Sequence, residues 1–140
     1  MGYYITQRAS EFKIKSENKA KALEAIKALA TQTSLMGGGS STGERWFAWV
    51  PTEDFVKATT LPEAMLAWRW SVSEDEKTGD IIDIGFNGEK LGDDEILLEA
   101  IAPYVEPGSY IEIEGEEGAL WRWLFDGVWL EEKNAKISWD

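Results

Sequence analysis

From Tyr3 to Lys15 the chain moves toward strict alternation, with Phe12 and Ile14 set between Glu11, Lys13 and Lys15. A period of two predicts a strand with one wet face. Beyond Ser16, a suitable helix N-cap, the period changes: Ala22, Leu23, Ile26, Leu29 and Ala30 recur at helical spacing, while Lys19, Glu24 and Lys27 lie elsewhere. Arg45 to Val50 reads as a compact aromatic strand that Pro51 ends, and Thr52 opens a short turn through Phe55 and Val56. Thr60-Leu61-Pro62-Glu63 fits a capping box with Pro in the first turn, the start of a short helix through Met65 and Leu66. Trp68 to Val72 predicts a further strand. Glu74 to Gly79 is a polar hairpin turn that leads into Ile81 to Phe86.

A third helix starts at Asp93 or Asp94, where acidic residues suit the positive end of the helix dipole; Leu97, Leu98, Ile101 and Val105 form its apolar stripe. Ser109 to Glu114 alternates cleanly and predicts a half-buried strand. Gly115 to Gly118 turns the chain into Leu120 to Phe125, Asp126-Gly127 signals a tight hairpin, Val128 to Leu130 returns, and Ile137 with Trp139 extends the last edge. The fold class expected is α+β: an antiparallel-dominated sheet with two or three helices on one face. The first part of the order is compatible with a ferredoxin-like βαββαβ core, to which a C-terminal β-hairpin is added. The Gly- and Ser-rich segment 37–44 reads as an internal loop, because neither flank is long enough to be a domain, so residues 1–140 form one α+β domain.

Composition narrows the chemistry. The chain holds no Cys and no His, which removes disulfides, thiol nucleophiles, Cys-type zinc sites and every imidazole-dependent triad. Fourteen basic against 26 acidic residues give a formal charge of −12. Such a balance disfavours direct binding to nucleic acid, and it suits either solubility alone or attraction to a basic partner surface. Eight Trp in 140 residues imply a heavily aromatic core or an aromatic binding face. No apolar run approaches the ~20 residues of a membrane span, and the N-terminal segment lacks the features of a signal peptide. The expected localisation is the cytoplasm, with no cofactor and no metal.

Several constellations approach known chemistry without reaching it. Gly38 to Arg45 has the glycine spacing of a phosphate-binding loop, but Glu44 stands where Lys is needed and Arg45 where Ser or Thr should be. Glu74, Asp75, Glu76, Asp80 and Asp83 are oxygen-rich yet do not match a calcium-loop spacing. Glu112 and Glu114 share one strand face, with Glu116 and Glu117 in the turn after it. They admit two readings, a carboxylate pair for hydrolysis or an acidic surface for binding protein. The most informative pattern pairs Arg with Trp: of four Arg, three adjoin Trp, at Arg45-Trp46, Trp68-Arg69-Trp70 and Trp121-Arg122-Trp123. In extended strands each Trp would enter the core and each Arg emerge opposite. Arg45, Arg69 and Arg122 then either converge as an anion site, with Trp121 and Trp123 beside it, or pair separately with cross-strand carboxylates such as Glu112 and Glu114. The abundance of acids favours separate pairs.

Pro107-Gly108-Ser109-Tyr110-Ile111-Glu112, Gly115-Glu116-Glu117-Gly118 and Leu120-Trp121-Arg122-Trp123-Leu124-Phe125-Asp126-Gly127 together resemble a family of small uncharacterised proteins of phages, prophages and related bacteria. Gly2-Tyr3-Tyr4-Ile5 and Arg45-Trp46-Phe47-Ala48-Trp49 fit the same group. The resemblance implies a mobile-element setting and brings no catalytic residues. The function expected from these readings is that of a non-enzymatic acidic protein that binds and inhibits a host defence or regulatory protein, by nucleic-acid mimicry among other routes. The alternatives are a binder of an anionic, nucleotide-like small molecule and a carboxylate-dependent hydrolase.

Overall fold

The alternation that begins at Tyr3 produces β1 (Tyr3–Glu11), whose even-numbered residues Tyr4, Thr6 and Arg8 face solvent while Ile5 points into the core. In the computed structural model, residues 2–32, 35–36, 46–136 and 139 are described. Segment 37–44, Arg45 and Ile137 therefore lie outside the described residues. A 3-10 turn at Ser16–Asn18 leads into α1 (Lys19–Ala28), which buries Ala22 and Ile26. Two short helices follow, α2 (Thr52–Val56) and α3 (Leu61–Ala67). Thr60 caps α3 as its sequence requires, its hydroxyl accepting from the Glu63 amide at 3.3 Å. Next come β2 (Trp70–Glu74), β3 (Ile81–Phe86), the two-residue β4 (Lys90–Leu91) and α4 (Asp94–Ile101), which buries Leu97, Leu98 and Ile101. The chain then forms β5 (Tyr110–Gly115), β6 (Leu120–Phe125) and β7 (Leu130–Asn134).

The strands make a five-stranded sheet in the order β4-β1-β5-β6-β7 and a two-stranded sheet of β2 and β3, with every pairing antiparallel. The fold is α+β, as the sequence pattern predicts. One continuous apolar core joins Ile5, Phe12 and Ile14 to Ile111, Ile113, Trp121, Trp123 and Phe125 of the sheet, and to the buried faces of the helices. Among the described residues no helix covers the outer face of the five-stranded sheet: Thr6, Arg8, Glu114 and Arg122 are all exposed there.

β3 lies beside β1, but the seam between them is not a regular ladder, and the strands form two sheets where the expected ferredoxin-like core has one. An isolated bridge between Ile14 and Ile81 closes one end of this seam, and the Ile5 amide bonds to the Glu89 carbonyl at the other. Between these points the Gln7 side chain does the work of a peptide group. Its Nε2 donates to the Ile84 carbonyl at 2.8 Å and its Oε1 accepts from the Phe86 amide at 2.8 Å.

Two aromatic segments differ from expectation. Of the strand expected over Arg45 to Val50, the described residues 46–50 form a tight turn instead: Phe47 and Val50 bridge across it, and Trp49 has φ 58°. Burial of Phe47 against Trp68, with ring centroids 4.8 Å apart, wins over the strand preference of its neighbours. Trp68 ends α3 instead of beginning a strand, and Arg69 has φ 71°, so the Trp-Arg-Trp alternation is broken there. β7 ends at Asn134, and Trp139 is exposed.

The seam yields a first prediction. Gln7→Ala leaves the Phe86 amide without its partner and the Ile84 carbonyl with only the Ser10 hydroxyl at 3.4 Å, and is expected to cost about 2 kcal/mol in urea unfolding. Faster amide exchange at Phe86 should accompany that loss, and an unchanged unfolding midpoint would show that the seam does not depend on this side chain.

Candidate functional site

Asp94 is the first residue of α4 and is almost wholly buried, so its charge must be met inside the protein. Three donors meet it with four contacts. Arg69 Nη2 lies 3.0 Å from Oδ2 and 3.2 Å from Oδ1, the Trp70 indole donates to Oδ1 at 2.9 Å, and the Gly92 amide donates to Oδ2 at 2.9 Å. Arg69 Nη1 donates to the Lys90 carbonyl at 2.8 Å. The guanidinium is sandwiched between Trp49 and Phe86, 5.1 and 5.2 Å from the ring centroids. Gly88 and Gly92 make room for it, since a Cβ at either position would sit 2.8 Å from a guanidinium nitrogen. Asp93 adds a second tie, accepting from the Ala48 amide at 2.8 Å. Arg69 is thus committed to holding the aromatic turn, β4 and the start of α4 together.

Arg122 sits elsewhere, on the open face of the five-stranded sheet. Along β6 the alternation holds, with Trp121 and Trp123 in the core and Arg122 outside. Arg122 Nε donates to Glu112 Oε1 at 2.8 Å from directly across the strand pair, and its guanidinium lies 4.6 Å from the Tyr110 ring centroid. The Glu112 hydrogen bond raises the Arg122 pKa above its ordinary value. Arg8 lies 3.9 Å from Glu112 and 3.8 Å from Glu114. Glu116 Oε1 accepts from the Tyr4 amide at 2.8 Å, and Glu117, with φ 63°, stands in the turn. Arg69 and Arg122 share no partner, and Arg45 lies outside the described residues. The separate cross-strand pair favoured by the acid excess is the arrangement Arg122 adopts.

The polar turn after β2 also spends its oxygens locally. Lys19 pairs with Glu74 and Lys13 with Asp80 at 3.8 Å, while Asp75 accepts from the Lys77 and Thr78 amides. The Ser16 amide donates to Asp80 and holds its carboxyl below the usual range. Among the described residues, no group of three or more potential ligands is placed to hold a metal ion.

Two features escape a reading by motif. Trp129 is 72% exposed at the start of β7, yet its backbone is fixed. Asp126 Oδ1 accepts from the Val128 amide at 2.9 Å and the Trp129 amide at 2.7 Å, and these bonds, the Trp129 one foremost, lower the Asp126 pKa. The Asp-Gly signal marked a turn here; nothing in it announced that the turn would present a Trp. Three residues on, Glu132 meets Glu95 of α4, and this carboxyl–carboxyl hydrogen bond, ahead of burial and charge repulsion, raises the Glu132 pKa. The Trp123 indole donates to the same Glu95 at 3.2 Å. Among the described residues no Lys or Arg forms an ion pair with Glu95, Glu99 or Glu132.

Compared with known protein families, with curated proteins and with solved structures, the chain matches none.

Asp94→Asn keeps the shape but leaves Arg69 buried without a counter-charge, and a loss of about 3 to 5 kcal/mol is expected on denaturant unfolding. Arg69→Met combined with Asp94→Leu should cost less than the sum of the two single changes, and additive costs would contradict a coupled pair. For Glu132 the folded pKa lies above the ordinary value, so its stabilising share is present in acid and lost as pH rises through the folded pKa. Glu132→Gln should therefore melt at a higher temperature than the wild type near neutrality, with the difference vanishing below about pH 4.

Proposed function

We propose that this chain is a non-enzymatic binding protein that docks onto a partner protein with a basic surface, through Trp129 and the acidic ridge of Glu95, Glu99, Glu131 and Glu132. The observation that carries this reading is the exposure of Trp129 on a fixed backbone, next in the chain to a ridge where Glu131 meets only Lys133 at 3.9 Å and Glu95, Glu99 and Glu132 pair with no described cation. A rigid aromatic anchor loses little entropy on binding, and such anchors commonly dominate interface energetics. The carboxylate surplus supplies long-range attraction to a basic surface. A basic groove built to hold nucleic acid is one such surface, and occupying it would block its normal ligand. The resemblance to phage and prophage proteins fits this role with an accessory protein acting in the host cytoplasm on a defence or regulatory protein. No helix of the described residues is long and apolar enough to cross a membrane.

The hydrolase alternative is the weakest of the three, because Glu112 is already engaged by Arg122 and approached by Arg8. The test is capture from host lysate on immobilised protein, with elution by heparin or duplex DNA. A partner bound through the ridge should be displaced by these polyanions. Trp129→Ala and Glu95→Lys should each weaken its retention about tenfold or more, the scale of one hot-spot residue. Equal retention by the wild type and both variants would overturn the assignment of this surface.

A further inference from the structure

We infer that the open face of the five-stranded sheet carries a site for the diphosphate group of a small molecule, a binding activity separate from the Trp129 surface. A cleft of about 320 Å³ on this face is lined by Arg8, Arg122, Lys133 and Lys136, with Glu112 as its one acidic residue and Leu120 as apolar lining. In a chain with 14 basic and 26 acidic residues, four cations around one cleft run against composition.

Their placement comes from the strand register. Arg122 of β6 lies directly opposite Lys133 of β7. Like charges in that relation destabilise a sheet unless an anion joins them. The β1–β5 register slips between Gln7 and Ala9, and this bulge leaves Arg8 out of the strand pairing and on the exposed face. Bulges commonly re-aim a side chain next to a functional site.

The donors in the cleft are largely unspent. Of the Arg122 nitrogens only Nε finds a hydrogen-bond partner among the described residues, and stacking over Tyr110 sets the plane of the guanidinium and so the direction of its two remaining nitrogens. Arg8 approaches its carboxylates at 3.8 and 3.9 Å, and Lys133 approaches Glu131 at 3.9 Å, all beyond hydrogen-bond length. Lys136 makes no ion pair with a described residue.

The occupant follows from this geometry. Two guanidinium forks suit phosphate oxygens. Arg8 and Arg122 both reach the single carboxylate of Glu112, so one phosphate in its place meets both guanidinium groups, and Lys133 and Lys136 along the same cleft supply cations for a second, linked phosphate. Carboxylates outside the cleft repel an extended polyanion, so the ligand is small. Glu112, bonded to Arg122 and close to Arg8, stands where the anion would sit and competes with it.

The test is titration of the full chain with inorganic pyrophosphate and, separately, with ADP, followed by the Arg122 Nε–H resonance in NMR and by calorimetry. Saturable binding with a dissociation constant of about 1 mM or below is expected for pyrophosphate. Arg122→Gln and Lys133→Gln should each weaken it about tenfold. Glu112→Gln should strengthen it several-fold, although it removes an ion pair. Melting temperatures taken alongside separate the two roles, since a purely structural Glu112 would lower stability without improving binding. Equal affinity for pyrophosphate and ADP assigns recognition to the diphosphate alone, and tighter ADP binding adds a contact to the nucleoside; both support the site. No response of the Arg122 resonance to either ligand at about 10 mM would overturn it, as would equal affinity in the wild type and Arg122→Gln.

Discussion

Burying one carboxylate, that of Asp94, organises much of this molecule. A charge so placed must be fully met, and the groups that meet it come from separate stretches of chain: Arg69 and Trp70 at the start of β2, and Gly92 just before α4. Arg69 in turn holds the Lys90 carbonyl and two aromatic rings. The left-handed backbone of both Trp49 and Arg69 is understandable in this light, since unfavourable conformations persist where surrounding contacts over-determine them. A buried ion pair of this kind contributes less to net stability than to specifying one arrangement, because desolvation offsets most of the Coulomb attraction. Here it specifies how the aromatic turn, the small sheet and α4 meet.

The same economy of cations explains the surface. Among the described residues, Lys13, Lys15, Lys19, Lys57 and Arg69 each pair with a carboxylate, and most of those pairs lie between distant segments. Cations spent in this way cannot neutralise the remaining acids, so the net charge of −12 is expressed as bare carboxylate on ridges such as Glu95, Glu99 and Glu132. The open sheet face is the counter-example, with positive side chains gathered on neighbouring strands. The molecule therefore offers two surfaces of opposite character, and each calls for a different kind of partner.

Local signals in the sequence predicted local structure well. The Thr60 cap, the apolar stripes of α1 and α4, and the alternation of β5 and β6 all involve neighbours within one element, and each appears as its pattern requires. The pairing of Arg122 with Glu112 was legible too, because alternation and an excess of acids leave few other outcomes. Arg69 was not. Its partner lies 25 residues away, and its left-handed backbone is set by tertiary contacts that no local pattern records. Phe47 and Trp68 misled for a related reason: aromatic residues fit strands and tight turns equally well, and only their mutual packing decides. The pattern around Trp129 predicts only a returning strand, since the sequence does not say which face of a hairpin end will be covered.

Gln7 and Ser10 join two sheets through side chains instead of a row of peptide groups. A ladder is renewed at every residue, whereas here torsional changes in two side chains would uncouple β3 from β1 over the middle of their shared length. The β2–β3 hairpin is consequently fastened to the main sheet at points, like a panel on hinges, so displacement of the hairpin need not break any pairing within β1, β5, β6 and β7.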